Sequence, residues 1–142
     1  MKEAFAYEHR VGFYEADAAG IVHFARFPLW VEAAETAFWG AHGVELPALG
    51  EGKLRGCPKV DFAIRYRRPA RFGDTVTLRL LPERVTGVAD WRWRFTVQCG
   101  EKLLAEGEMG VVFATVSLGE GNLTKALPSE KMAKVLAEYG VK

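Results

Sequence analysis

The chain has 142 residues, the length of one domain, and its 49% hydrophobic and 26% charged content is that of a globular protein with a single core. Nineteen basic against 18 acidic side chains leave a formal net charge of +1, which argues against a general nucleic-acid or membrane-surface binder, since both partners usually demand a strong basic excess. Two cysteines, Cys57 and Cys99, lack CxxC spacing and neighbouring His or acidic ligands, so neither a metal site nor a disulfide framework is expected. The first residues lack the apolar core of a secretory signal, and no run of about 18 apolar residues is present to span a bilayer. The expectation is one domain over residues 1–142, cytoplasmic and not inserted in a membrane.

Phe5, Tyr7, His9, Val11 and Phe13 alternate with Ala6, Glu8, Arg10 and Gly12, which predicts a strand with one buried face. His9 lies on the apolar side and reads as a hydrogen-bonded or edge histidine rather than a ligand. Residues Glu15 to Val22 break the strand, and Gly20 there permits a positive φ or a close backbone approach. A helix follows from about Pro28 to His42. Pro28 suits a first turn, where its missing N–H is not needed, and Gly43 suits the stop. Leu29, Trp30, Val31, Ala33, Ala34, Ala37, Phe38 and Ala41 cover more than one stripe, which predicts a helix enclosed on most sides.

Val44 to Pro58 reads as a connecting loop able to cover a pocket. Strand patterns return with Val60, Phe62, Ile64 and Tyr66, then, after a turn at Arg68 to Asp74, with Val76, Leu78 and Leu80. Thr86 and Gly87 suggest a hairpin. Trp91 to Cys99 alternates again, Gly100-Glu101 turns the chain, and Leu103 to Val116 makes a long final strand. Short links imply antiparallel pairing. From Pro128 the tail predicts a short helix capped by Ser129, with Met132, Val135, Leu136 and Tyr139 on one face. The fold class is α+β: a five-stranded antiparallel sheet wrapped around a long central helix, with a short C-terminal helix.

The stretch that concentrates chemistry is Phe13-Tyr14-Glu15-Ala16-Asp17-Ala18-Ala19-Gly20-Ile21-Val22-His23-Phe24, leading into Trp30-Val31-Glu32-Ala33-Ala34. Together with Ile64-Arg65-Tyr66-Arg67-Arg68-Pro69-Ala70-Arg71-Phe72-Gly73-Asp74 and Leu104-Ala105-Glu106-Gly107, it resembles the hotdog-fold acyl-CoA thioesterases of the 4-hydroxybenzoyl-CoA thioesterase type, including those associated with Tol-Pal operons. The chain departs from that pattern at Glu15, where an Asp is frequent, at Ala16, where Thr is frequent, and at His23, where an aromatic is usual. The resemblance implies that Asp17 acts on the thioester as nucleophile or as general base for water. It also implies a homodimer or homotetramer with sites shared between chains.

A thioester carbonyl is already activated, so one well-placed carboxylate suffices if donors meet the developing oxyanion. Backbone N–H groups near His23 and Phe24 are the natural donors, because the start of a helix leaves such groups unpaired. If the regular helix begins only at Pro28, a preceding short turn must present them. Without the resemblance, Asp17 reads more readily as a turn or capping aspartate than as a catalytic one. Gly20 is assigned to backbone approach, and His23 to orienting the acyl group, sharing a proton or filling the space before the helix. Glu32, with Glu35 three residues on, is a reserve carboxylate, since a second branch of these thioesterases carries the catalytic carboxylate on the helix.

A serine hydrolase is disfavoured because Ser117 and Ser129 are the only serines and neither lies in a GxSxG elbow, and no phosphate-binding glycine loop occurs. Phosphates of coenzyme A, which enters as part of the substrate and not as a cofactor, would meet surface cations. Arg65, Arg67, Arg68 and Arg71 are the candidates, with Arg92 and Arg94 farther on, against the alternative of a solvated sheet face. Phe13, Phe24, Trp30 and Trp39 are candidate pocket walls. Three readings follow: hydrolysis of an aryl or short- to medium-chain acyl-CoA; a hotdog hydratase or dehydratase, disfavoured by the Asp17 to His23 spacing and the lack of Asn-Pro; and a non-catalytic module for acyl thioesters or acyl carrier protein.

Overall fold

The computed structural model describes residues 2–83 and 89–141. Strands β1 (Phe5–Arg10), β4 (Lys59–Tyr66), β5 (Thr75–Glu83), β6 (Trp91–Cys99) and β7 (Lys102–Val111) form a five-stranded sheet in the order β1-β5-β6-β7-β4. Every pairing is antiparallel. Helix α1 (Arg26–Ala41) lies across its inner face, where Trp91, Trp93, Phe95, Val97, Leu78 and Leu80 are buried. Phe38 meets Trp93 edge-on with ring centroids 4.8 Å apart, so helix and sheet share one core.

Helix α1 starts two residues before Pro28, which becomes its third residue, a position whose N–H has no partner within a helix in any case. It ends at the predicted stop: Gly43 has φ +74, Gly43 N–H donates to Gly40 O and Val44 N–H to Trp39 O, the paired bonds of a Schellman cap. The helix is less enclosed than its composition suggests. Phe27, Trp30, Val31, Ala34, Glu35, Phe38 and Trp39 form the buried stripe, whereas Leu29, Glu32, Thr36 and Gly40 lie on an open flank. One sheet covers one side of a cylinder, and Leu29 stays 55% exposed.

Three sequence expectations change. The segment 44–58 is no plain loop: β2 (Ala48–Gly50) and β3 (Lys53–Gly56) make a hairpin that opens a second, four-stranded sheet of order β2-β3-β8-β9. The long final strand is two strands, because after β7 the chain leaves the main sheet and β8 (Ala114–Ser117) pairs with β3, followed by β9 (Leu123–Lys125). Residues 67–74 are a crossover, not a hairpin turn. β4 and β5 have β7 and β6 between them, so the link spans roughly 14 Å across the sheet end at about 4.8 Å per strand. The hairpin expected at Thr86 and Gly87 lies outside the described residues. The tail helix α2 (Glu130–Glu138) is capped by Ser129, whose Oγ accepts from Met132 N–H at 3.2 Å, and it buries Met132, Val135 and Leu136.

Candidate active site

After β1 the chain makes one short 3-10 turn (Phe13–Glu15), which drives Glu15 inward, where it is 5% exposed. Its Oε1 accepts from Gly12 N–H at 2.9 Å and meets His9 Nε2 at 2.7 Å, and its Oε2 accepts from Trp30 Nε1 at 2.6 Å. Burial works to raise its pKa, yet these three partners together hold the carboxyl below the usual range. Glu15 therefore ties β1, the turn and α1 together, and His9 is the hydrogen-bonded histidine its strand position suggested.

Two residues on, Asp17 is exposed. Its Oδ1 accepts from Ala19 N–H at 2.8 Å and Ile21 N–H at 3.3 Å, while its backbone closes a small loop with Ile21 O at 2.9 Å. Asp17 Oδ2 has no protein partner among the described residues. One oxygen fixes the carboxylate and the other stays available. Gly20 has φ +79, which explains the glycine, but a side chain there would touch nothing within 4 Å. Its role within the chain is thus the backbone angle, and not a close approach.

The amides that follow divide sharply. Ile21 and Val22 N–H groups are taken by Asp17 Oδ1 and Ala70 O, and those of Ala25, Arg26 and Phe27 by His23 Nδ1, His23 O and Phe24 O. Those of His23 and Phe24 meet no acceptor among the described residues, and both residues are exposed in the turn leading into α1. The expected oxyanion donors are thus unpaired and sit ahead of the helix. His23 stacks on Phe24 at 4.6 Å and holds the Ala25 amide; no contact joins it to Asp17.

The crossover brings the second motif to the first. Val22 N–H donates to Ala70 O at 2.9 Å and Phe72 N–H to Gly20 O at 3.2 Å, so residues 20–22 and 70–72 run side by side. Arg67 and Arg68 then flank a shallow cleft with Ile21, Phe24, Phe27 and Tyr66, and Tyr66 Oη donates to Phe24 O at 2.9 Å. The arginines fall into two groups. Arg65, Arg68 and Arg71 have no carboxylate partner among the described residues. Arg67 pairs with Glu106 at 3.2 Å, Arg92 grips Asp61 through two bonds of 2.6 and 2.9 Å, and Arg94 pairs with Glu83 at 3.2 Å. Arg65 shares the outer sheet face with these paired residues; Arg68 and Arg71 stand by the Asp17 turn.

Sequence reasoning placed Glu32 and Glu35 in reserve. The structure separates them: Glu32 is exposed on the open flank, whereas Glu35 is 4% exposed, with Oε1 2.6 Å from Lys59 Nζ and Oε2 accepting from Trp93 Nε1. Burial, opposed by Lys59, pushes the Glu35 carboxyl above the usual range. Both line a cavity of about 280 Å³ between α1 and the small sheet, with Trp39, Leu46, Leu54 and Val116 among its apolar walls. Trp39 is thus a wall of this cleft, whereas Trp30 belongs to the core around Glu15. Cys57 lies here too, its thiol pushed up to about 12 by burial, so it is no nucleophile near neutral pH. Segment 44–58, expected as a loop able to cover a pocket, and Trp39, expected as a pocket wall, both line this cavity, whereas the burial of Glu35 in it depends on long-range partners that the sequence does not show. Among the described residues no cluster of three or more His, Cys, Asp or Glu could hold a metal, and no helix is long and apolar enough to cross a membrane.

A sheet curled over one long helix, with a carboxylate turn leading into that helix, defines a hotdog-type domain. The chain belongs to the thioesterase superfamily, whose pattern matches residues 19–89, half of its length. A 1,4-dihydroxy-2-naphthoyl-CoA hydrolase from Synechococcus sp. (strain CC9605) is 32% identical over 80 residues, 53% of this chain and 54% of that protein. Its counterpart from Synechococcus sp. (strain CC9311) is 28% identical over 99 residues, 64% of this chain and 65% of that one. The similarity thus spans between about half and two thirds of these curated relatives. In shape, the crystal structure of a 1,4-dihydroxy-2-naphthoyl-CoA thioesterase from Synechocystis superposes with a TM-score of 0.79 at 21% identity, covering 96% of this chain and 98% of that one.

Proposed function

We propose that this protein is an acyl-CoA thioesterase that hydrolyses an aryl or short- to medium-chain acyl-CoA to the free acid and CoA. The observation that carries this reading is the pairing of a fixed carboxylate with unpaired donors. Asp17 is held through Oδ1 and keeps Oδ2 free, and the amides of His23 and Phe24 lack acceptors a few residues away. As general base, Asp17 takes a proton from water as the oxygen adds to the thioester carbon. The two amides hold the oxyanion, the C–S bond breaks, and the thiolate leaves to be protonated as free CoA. As nucleophile, Asp17 would form a mixed anhydride that water then opens. Phe24 and Phe27 supply apolar wall beside the amides, and His23 orients the acyl group.

Arg68 and Arg71, unpaired and next to the turn, bind the CoA phosphates, with Arg65 and Arg67 as outer candidates. The curated relatives act on 1,4-dihydroxy-2-naphthoyl-CoA, which favours the aryl end of the range. β4 ends the main sheet with one edge unpaired, and α1 leaves a flank open, which supports at least a homodimer, with a homotetramer as the larger form. Acyl carrier protein is an alternative carrier of the acyl group. The setting is cytoplasmic, in keeping with Cys57 and Cys99 as free thiols.

The bonds from Ala19 and Ile21 to Asp17 also favour a second reading, a non-catalytic acyl-thioester module in which Asp17 only caps its turn. A panel of benzoyl-, dihydroxynaphthoyl-, medium-chain and enoyl-CoA esters separates the readings. Thiol release supports the thioesterase, loss of enoyl absorbance without thiol release the hydratase, and tight binding without turnover the module.

A further inference from the structure

The turn that carries the two unpaired amides is tied to the main sheet by a side chain with no other polar task. Tyr66, the last residue of β4, pairs with Ala105 of β7, and the next two amides, those of Arg67 and Arg68, donate to Leu104 O at 2.7 and 3.1 Å. The backbone that bears this phenol is therefore fixed by the sheet. Its hydroxyl donates to Phe24 O at 2.9 Å. Every other hydrogen bond of His23, Phe24 and Ala25 among the described residues stays within the turn and α1. Partial burial pushes the Tyr66 phenol above its ordinary value, so at neutral pH the hydroxyl keeps its proton and donates.

A trans peptide unit is planar, with its C=O and N–H pointing opposite ways. His23 O accepts from Arg26 N–H at 3.0 Å, so the Phe24 N–H at the other end of that plane points away from the first turn of α1. The next plane is held at both ends, Phe24 O by Tyr66 and Ala25 N–H by His23 Nδ1 at 3.2 Å. Two fixed planes on either side of one Cα set its φ and ψ. Without the Tyr66 hydroxyl, Phe24 O keeps only Phe27 N–H at 3.3 Å, a long bond. Oxyanion stabilisation rests on donors aimed before the charge develops, and a donor free to swing contributes less. The ring itself meets Phe27 edge-on at 5.1 Å and Phe24 at 6.2 Å. Tyr66→Phe retains those contacts and removes one oxygen.

We propose that Tyr66 is a positioning residue for thioester hydrolysis: from the end of β4 its hydroxyl holds the Phe24 carbonyl and so aims the Phe24 N–H at the developing oxyanion. The proposal rests on the thioesterase reading, and two measurements keep the two apart. In thiol-release assays on the fastest CoA ester, Tyr66→Phe should lower kcat about tenfold with KM within about twofold, a smaller loss than the 100-fold or more expected for removing a whole oxyanion donor. Its Tm should stay nearly unchanged. A merely structural hydroxyl would do the reverse, lowering Tm and leaving kcat.

The second measurement needs no turnover. Benzoyl-CoA labelled with 13C at the thioester carbonyl is bound to Asp17→Asn, and its C=O stretch is read by isotope-edited infrared difference spectroscopy. Donors on the carbonyl oxygen lower that frequency; with one of two donors misaimed, the shift in Asp17→Asn with Tyr66→Phe should be about half as large. Full kcat in Tyr66→Phe, a loss confined to KM or Tm, or equal shifts in the single and double variants would each overturn the proposal. If the wild type releases thiol and Asp17→Asn does not, while Tyr66→Phe runs at full rate, the thioesterase reading stands and the role of Tyr66 falls. If the wild type releases no thiol from any CoA ester yet the infrared shift is halved, the thioesterase reading falls and Tyr66 remains the residue that aims the Phe24 amide at a bound carbonyl.

Discussion

Helix α1 has a carboxylate pair before its start and another at its middle, and in each pair one member is buried and one exposed. Glu15 and Glu35 are the buried members, and both accept from an indole N–H, that of Trp30 and of Trp93, and from a basic side chain, His9 or Lys59. They titrate in opposite directions. Glu15 has a third partner, the Gly12 amide, and its carboxyl is pulled down, whereas Glu35 lacks one, borders a cavity, and is pushed up. The number of hydrogen bonds set against desolvation decides the sign. A buried carboxylate held by three donors, as Glu15 is, is an anchor.

The largest stability difference should therefore separate the two buried glutamates. Glu15→Ala strands the Trp30 indole and the Gly12 amide, which should cost about 2–4 kcal/mol in urea unfolding. Glu35→Gln with Lys59→Met removes both charges but keeps an acceptor for the Trp93 indole, and should stay within about 1 kcal/mol of the wild type. Equal losses at both sites would erase the distinction.

A smaller effect sharpens the exposed side of the comparison. Arg68→Ala with Arg71→Ala should raise the KM for a CoA ester about tenfold at low salt, the range expected for two lost charge-assisted contacts, and the difference should shrink in added salt. Arg92→Ala, whose guanidinium is committed to Asp61, should change KM less than twofold.

The smallest effect is on the pH dependence of unfolding. Because the folded pKa of Glu15 is depressed, its contribution is present above its unfolded value near 4.5 and is lost as pH falls through the folded value. Glu15→Gln should flatten the fall in Tm on acidification below about pH 4.5. For Glu35, raised in the folded state, the penalty grows as pH climbs from 4.5 through its folded value, so Glu35→Gln should flatten the profile on that side instead.

Much of this was legible in the sequence. Period-two alternation in Trp91 to Cys99 and the Ser129 cap depend on local chemistry, and both elements appear where expected. The stop at Gly43 follows from a single αL residue. The small sheet was not legible, because β3 pairs with β8 some sixty residues away and each strand is too short to show a period. Nor was the juxtaposition of residues 20–22 with 70–72, since it depends on the strand order and not on the turn residues. Glu15 and Glu35 gave no sign of their burial, for their partners are long-range indoles. At the candidate site, the sequence pointed to Asp17 and the amides of His23 and Phe24, but not to the division of labour between the two Asp17 oxygens.

The most direct test of the central claim compares two conservative variants in one thiol-release assay on the best CoA ester. Asp17→Asn retains an oxygen for the Ala19 and Ile21 amides but cannot act as base, and should lower kcat by at least 100-fold with a nearly unchanged Tm. Glu32→Gln, on the open flank, should lower it less than tenfold. Full activity in Asp17→Asn, with the large loss falling on Glu32→Gln, would contradict the account and move the chemistry to the middle of the helix.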